Sequence, residues 1–331
     1  MPKQAVLLLA HGTPETVEQI PEYLRNVVGG RSLPSAVVEE IQRRYSLIGR
    51  SPLTEITLEQ GRLVEVELAA GGRSVPVYVA MRNWRPYISD VVRRMRAGGI
   101  QEAAVVCMAP HNSRTSVGLY RSAVEAEAAG LRIDFTEDWG RHPLLVEAFA
   151  ERLRPAFASL SAEAGHAVPV LFTAHSVPCR TIQSAAASPA SDQDQDAQAR
   201  LLPGAGGDAY AQEAKRTAAL VAGRVPGIPQ WFFAFQSQGM SGGPWIGPTV
   251  EETLGALAAE GLRTLLLQPV GFLCDHVEIL YDVDILFRGY AAQLGIRLER
   301  PESLNASPTL AKAVALLARQ GLVRLRDSPA D

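Results

Sequence analysis

The run Ala5–Ala10, AVLLLA, carries no polar side chain and ends at once in His11-Gly12-Thr13-Pro14. An uninterrupted apolar run of strand length, closed by a turn, describes a strand buried on both faces. Thr13 can cap a helix that has Pro14 at its first position. Val17, Ile20, Leu24 and Val27 then recur at helical spacing, with a bend expected at Pro21. The same order returns along the chain. Strand-like runs lie at Val75–Met81, Ala103–Ala109, Leu131–Thr136, Val168–Ala174, Gln230–Phe235, Arg263–Gln268 and, as an edge strand, Arg297–Glu299. Helical patterns lie at Thr54–Leu68, Tyr87–Ala97, Gly118–Ala129, Leu144–Leu160, Tyr210–Val225, Thr249–Glu260 and Pro308–Gln320.

Strands that alternate with helices predict parallel sheets, and 331 residues are enough for about two domains. Each half carries about four βα units. The expected fold is therefore α/β, with two similar doubly wound (Rossmann-like) domains over 1–150 and 151–331. The final helix is free to pack back on the first domain. Residues 184–206, rich in Ala, Ser, Asp and Gln, predict a mobile surface loop.

His11, Arg82, His111, His175, Gln236 and Glu278 each follow directly on a strand or start the helix after it. In open α/β sheets ligands bind beyond the carboxyl ends of the strands, so these groups predict a cleft between the two domains. No Gly-x-Gly-x-x-Gly follows any strand and no Gly-x-x-x-x-Gly-Lys occurs, so dinucleotide and nucleoside triphosphate sites have no support. The formal net charge of −3 gives no nucleic-acid footprint. Cys107, Cys179 and Cys274 are odd in number and lack CxxC spacing, which argues against a disulfide framework and fits a reducing compartment. Met1–Ala10 lacks a cleavage pattern and no apolar run reaches spanning length, so the expectation is a soluble cytoplasmic protein.

Two stretches carry chemistry. Residues 29–51 hold Arg31, Arg43, Arg44 and Arg50, with Arg25 just upstream and Leu33, Tyr45, Leu47 and Ile48 among them. Each arginine alone reads as solvated surface. Together they describe an amphipathic wall suited to a flat apolar ligand with carboxylates at its rim, which arginine meets bidentately. The second stretch is Gln268–Asp284, QPVGFLCDHVEILYDVD. Pro269 and Gly271 end a strand, and Glu278 and Asp282 then stand four apart on one helix face. Asp275 with Glu278 also fits a capping box, a purely structural alternative.

Gly271-Phe272, Asp275-His276-Val277-Glu278, Tyr281-Asp282 and Asp284 resemble the signature of the ferrochelatases, which insert ferrous iron into a porphyrin. The resemblance extends to His11-Gly12-Thr13-Pro14-Glu15, Ser51-Pro52-Leu53, Ala109-Pro110-His111 with Ser113 and Tyr120, His175-Ser176-Val177-Pro178, Gln236-Ser237 and Gly243-Pro244-Trp245. It implies a chelatase-like fold with His175 as metal ligand and proton acceptor and Glu278 as its partner at the metal. A neutral imidazole suits both tasks, since it ligates borderline metals and has a pKa near ~6.5. Asp282 and Asp284 would extend a line of acids for metal or protons, although Asp284 lies off the shared face. Relatives often have a further glutamate where this chain has Leu286. His276 reads as structural. His11 stands where several relatives have tyrosine; it would be an axial ligand of iron, a loader of metal, or only a histidine hydrogen-bonded at a helix start.

The His11 and His111 motifs are similar to those of the soluble forms that act on coproporphyrin III, in heme biosynthesis. The resemblance implies that Arg31, Arg44, Tyr45, Ser51, Ser113 and Tyr120 touch the macrocycle or its propionates. It implies no cofactor beyond the substrate Fe²⁺, and three cysteines cannot supply a four-cysteine iron–sulfur cluster. The expected partners are a porphyrin and Fe²⁺ only, bound by a monomer. Alternatives are a protoporphyrin IX ferrochelatase, a chelatase for cobalt or another tetrapyrrole, and a porphyrin carrier without catalysis.

Overall fold

Alternate residues of the first strand face opposite ways, and both sets are buried. In the computed structural model, which describes residues 2–72, 74–113, 116–181, 199–200, 209–239 and 244–327, the chain runs as follows. β1 (Gln4–Ala10) leads to α1 (Ile20–Val27), α2 (Ser35–Ile48), α3 (Leu53–Ala70), β2 (Val77–Met81), α4 (Ile88–Ala97), β3 (Glu102–Cys107), α5 (Val117–Glu125) and β4 (Arg132–Thr136). Next come α6 (Pro143–Ala164), β5 (Val170–His175), β6 (Ala199–Arg200), α7 (Ala209–Gly223), β7 (Trp231–Gln236), α8 (Val250–Ala259) and β8 (Thr264–Pro269). The chain ends with α9 (Val277–Leu280), a π-helix (Asp282–Phe287), α10 (Arg288–Gln293), β9 (Arg297–Glu299) and α11 (Pro308–Asp327).

Contacts divide the chain into two compact units. The first holds Met1–Trp139, Cys274–Val277 and Asn305–Asp331; the second holds Gly140–Leu273 and Glu278–Leu304. Residues 140–150, expected with the first domain, thus lie in the second unit: α6 is one continuous helix from Pro143 and cannot be cut at 150. The expected loop over 184–206 lies outside the described residues, apart from β6.

In the first unit the sheet order is β2-β1-β3-β4, all parallel. Leu7 and Leu9 of β1 and Val105 of β3 pack with Val92 of α4 and Val124 of α5. Leu8 and Ala104 point the other way, towards Gly61 of α3 and Gly321 of α11. The period of two therefore puts a helical layer on each face, which is why β1 reads as apolar throughout. α11 also packs along β4, where Arg324 grips Asp134 through Nε–Oδ2 at 2.7 Å and Nη2–Oδ1 at 2.6 Å. In the second unit the order is β6-β7-β5-β8-β9, again parallel. Leu171, Phe232 and Leu267 of its sheet pack with Leu254 of α8 and with Ile279, Val283 and Phe287.

Two local differences from the sequence reading stand out. Residues 35–48, read only as part of a cationic segment, form α2, which starts after Pro34 and stops at Gly49 in a positive-φ conformation (φ 78°). The helical pattern after Pro269 is not one α-helix. Leu286 N–H bonds Tyr281 C=O at 2.9 Å, a five-residue step that widens the turn. Spacing of four still keeps one face, since it lies between the α period and the wider π period; hence Ile279, Val283 and Phe287 all reach the core.

Gly61 tests the close fit of α3 on β2, because a Cβ there would lie 2.4 Å from Val79 Cγ2. Alanine in a helix is intrinsically better than glycine by about 1 kcal/mol, whereas overpacking costs about 1–3 kcal/mol. Gly61→Val should therefore lower the urea midpoint, and adding Val79→Ala should recover most of the loss. No recovery in the double variant would mean that the contact is not the cause.

Candidate active site

In the second unit, β5 and β7 pair in register so that His175 lies opposite Gln236, each the last residue of its strand. Ser176 N–H bonds Gln236 C=O at 2.7 Å and Ser176 Oγ donates to Ile246 C=O at 2.8 Å, which fixes the turn beyond β5. The His175 Nδ1 contacts the Ser176 carbonyl. A carbonyl only accepts, so Nδ1 carries a proton, and in the neutral ring the lone pair is then on Nε2. Tyr210 Oη donates to the His175 carbonyl at 2.8 Å, and Phe272 meets the imidazole edge-on at 6.1 Å. The loop that carries Phe272 comes this close because residue 271 is glycine: a Cβ there would sit 3.0 Å from Ala174 Cα and Cβ and 3.4 Å from His175 N.

Gln236 uses both ends of its amide. Oε1 accepts from Thr173 Oγ1 at 2.6 Å, and Nε2 donates to the Glu278 carbonyl at 2.9 Å. The backbone of Glu278 is thereby tied to the strand that pairs with His175. Ser237, the next residue, has φ 61°, a conformation that non-glycine residues seldom adopt. Its hydroxyl donates to Asp282 Oδ2. Asp284 stands apart from this pair: Arg300 Nε and Nη2 hold its two oxygens at 2.7 Å each. Leu286, noted as the departure from the resembled acidic line, is 41% exposed.

The segment before Glu278 belongs to the first unit. Asp275 N–H bonds Asn305 Oδ1 and Asn305 Nδ2 bonds Asp275 Oδ2, both at 2.8 Å. The expected capping box has its acid here, but the helix starts only at Val277 and Asp275 is engaged with Asn305. His276 bonds the Cys274 carbonyl through Nδ1 at 2.9 Å.

Also in the first unit, His11 follows β1. Its Nε2 lies 2.8 Å from Tyr23 Oη, and Asn83 Nδ2 lies 3.1 Å from the same nitrogen. Thr13 does not cap a helix at Pro14 as expected; its hydroxyl donates to Ser51 Oγ at 3.0 Å, and Thr54 Oγ1 donates to its carbonyl at 3.1 Å. Ser51 is buried, and so are Tyr45, among Ile20, Leu24 and Trp84, and Tyr120, in the core with α4. Ser113 pairs with Ser116 Oγ at 2.7 Å. Arg31 is exposed and its Nε donates to the Val28 carbonyl at 2.9 Å. Arg43 and Arg44 share Glu40, at 2.8 and 2.9 Å, and hold that carboxyl down to about 2. Arg82 is half-buried, and burial lowers its pKa against the opposing influence of Tyr120 and Tyr23.

Sequence reasoning did not single out Tyr23, Asn83 or Arg300. The strand-end rule that found Arg82 and His175 points equally to Asn83, just past β2, and to Arg300, just past β9.

A family model described as Ferrochelatase matches residues 3–322. A ferrochelatase of Acidobacterium capsulatum is 57% identical over 329 residues, 99% of this chain and 97% of the relative. A coproporphyrin III ferrochelatase of Mycolicibacterium vanbaalenii is 34% identical over 321 residues, 95% of this chain and 88% of the relative. The sirohydrochlorin chelatase SirB from Bacillus subtilis subspecies spizizenii, solved in complex with cobalt, superposes with a TM-score of 0.54 at 11% identity, over 98% of this chain and 97% of that one. At that identity the likeness concerns the fold.

Fold and relatives together define an α/β metal chelatase. The chain belongs to the ferrochelatase family, whose members insert a metal ion into a porphyrin as a step of heme biosynthesis. Among the described residues no helix is long and apolar enough to cross a membrane.

His111 gives a pH prediction. It is buried, and burial lowers its pKa to about 3, well under the ordinary 6.5. The unfolded chain takes up the proton below about 6.5 and the folded one resists it, so stability falls as pH drops through that window. The contribution is up to ~1.4 kcal/mol per pH unit. Urea midpoints should show His111→Asn destabilised at pH 7.5, with the gap to the parent narrowing from pH 6.5 to 4.5. A constant gap would mean that the imidazole is not held neutral.

Proposed function

We propose that this ferrochelatase acts on coproporphyrin III, inserts Fe²⁺ and releases iron coproporphyrin, with His175 and Glu278 at the metal. The observation that carries the catalytic part is the bond from His175 Nδ1–H to the Ser176 carbonyl. It leaves the Nε2 lone pair as the reactive one, and that lone pair can take a pyrrole proton or bind the dication. Insertion removes two pyrrole protons and replaces water on the metal, so a base and a second oxygen donor are both required. Glu278, tied through its carbonyl to Gln236, supplies the donor, and Asp282 stands next in line. Among the described residues no three His, Cys, Asp or Glu side chains cluster closely enough to hold an ion.

The preference for coproporphyrin, with four propionates against two in protoporphyrin, rests on the cations of the first unit and on relatives that bear the name coproporphyrin III ferrochelatase. Arg31 and Arg44 are the cations proposed to meet propionates. Arg44 is about a third exposed and its pair with Glu40 is a surface one; such pairs are worth ~0–1 kcal/mol, so the guanidinium can exchange that partner for a propionate. Arg82 is a further candidate of the same kind. For His11, axial ligation of iron through Nε2 requires that the Tyr23 contact be given up.

Anaerobic insertion followed by absorbance, with both porphyrins side by side, tests the proposal. The parent should prefer coproporphyrin III, and Arg44→Ala should raise KM for coproporphyrin more than for protoporphyrin. Equal use of the two would overturn the substrate assignment and leave the reaction standing. His175→Ala should lose about 10²-fold or more in kcat while porphyrin fluorescence still reports binding. Full activity in that variant would remove His175 from the chemistry.

A further inference from the structure

We infer that Arg300 is a positioning residue for metal handling, acting through Asp284 to hold the π-helix in register; this rests on the reading of Glu278 and Asp282 as the acids that receive the metal. Arg300 lies just past β9 and is well buried, with a side chain 12% exposed, and Asp284 is 24% exposed. The guanidinium meets both carboxylate oxygens in parallel, at 2.7 Å each, and its Nη1 donates to the Pro301 carbonyl at 3.1 Å. A fork of this kind fixes orientation as well as distance. The chain's helical surface pairs are different in kind: Arg43 with Glu40 is 53% and 39% exposed and contributes little. Arg288, the other cation near Asp284, is 4.0 Å away, 47% exposed, and bonded to Glu299 at 3.2 Å. Arg300 therefore dominates the orientation of Asp284.

The need for such a tie follows from the helix. A π turn packs its backbone less well than an α turn and persists where surrounding contacts over-determine it. Three side chains supply those contacts from strand ends: Gln236 to the Glu278 carbonyl, Ser237 to Asp282, and Arg300 to Asp284. The first ends β7, the second follows it directly and the third follows β9. With both oxygens held by Arg300, Asp284 serves as an anchor of the acidic segment and not as a carrier of ions along it. Loss of Arg300 leaves a half-buried carboxylate with only the long contact to Arg288 and frees the π turn at its middle, two residues from Asp282.

The test is steady-state insertion by the full-length Arg300→Met, Arg300→Lys, Asp284→Asn and Asp284→Asn/Arg300→Met proteins, with Glu278→Gln as control. Arg300→Met should raise KM for Fe²⁺ about 10–100-fold, the usual range for a residue that orients a metal donor. Its KM for porphyrin should stay unchanged. Arg300→Lys should recover part of the loss, and the double variant should be no worse than the poorer single one, since both act through one contact. Unchanged KM for Fe²⁺ in Arg300→Met, or losses that multiply in the double variant, overturns the inference. Porphyrin fluorescence quenching reports whether each variant is folded; if Arg300→Met is not, Asp284→Asn carries the same comparison, and an unchanged KM for Fe²⁺ there overturns the inference. Full activity in Glu278→Gln would instead overturn the underlying reading of the metal acids.

Discussion

The parallel pairing of β5 with β7, in the register that sets His175 opposite Gln236, is the constraint on which the chemistry of the second unit depends. The imidazole of His175 and the backbone of Glu278 are both referred to that one pair. The imidazole is oriented by the carbonyl of the residue that follows it, and that residue is fixed by Gln236. The backbone of Glu278 is fixed by the Gln236 amide, whose other end is held inside the strand layer by Thr173. A slip of one residue between the strands would turn every side chain to the opposite face, placing Ser237 or Phe235 where Gln236 must stand. The apolar packing of Leu171 and Phe232 against α8 excludes that slip. The core thus sets the geometry of these polar side chains through register.

The fold was legible because its central strands are buried on both faces and so read as apolar runs; β1 through β5 and β7 through β9 all overlap the expected stretches, with ends shifted by two residues or fewer. The residues after strand ends were legible for the same reason, since a run that stops abruptly marks the position of its last side chain. Three features were not legible. α2 has a mixed surface, with only Tyr45 buried, and its arginines drew the reading towards charge and away from periodicity. The π turn leaves no trace in a pattern of spacing four, because Ile279, Val283 and Phe287 satisfy α and π periods alike. The Arg300–Asp284 contact joins residues 16 apart that no local rule connects.

The first unit shows how far residue type alone carries. Tyr45, Ser51 and Tyr120 have side chains that could recognise a carboxylate, yet all are buried, Tyr45 and Tyr120 among apolar neighbours. Tyr45 and Tyr120 fill the core of the unit, and Ser51 is bonded to Thr13. Arg31 and Arg44 keep their charge accessible to water. His11, bonded to a tyrosine hydroxyl and an amide, is oriented by its own unit, in keeping with the structural alternative weighed for it.

The π-helix has a consequence for how this chain can change over generations. A π turn is an α-helix with one residue too many, so a single-codon deletion in 282–287 could restore a regular helix and improve its hydrogen bonds. The segment would then fold better by itself while Asp284 rotated away from Arg300 and Asp282 from Ser237. Local stability and chemical register pull against each other at this one place. The length of the segment is therefore a property of the chemistry, whereas a side chain such as exposed Leu286 leaves the register untouched.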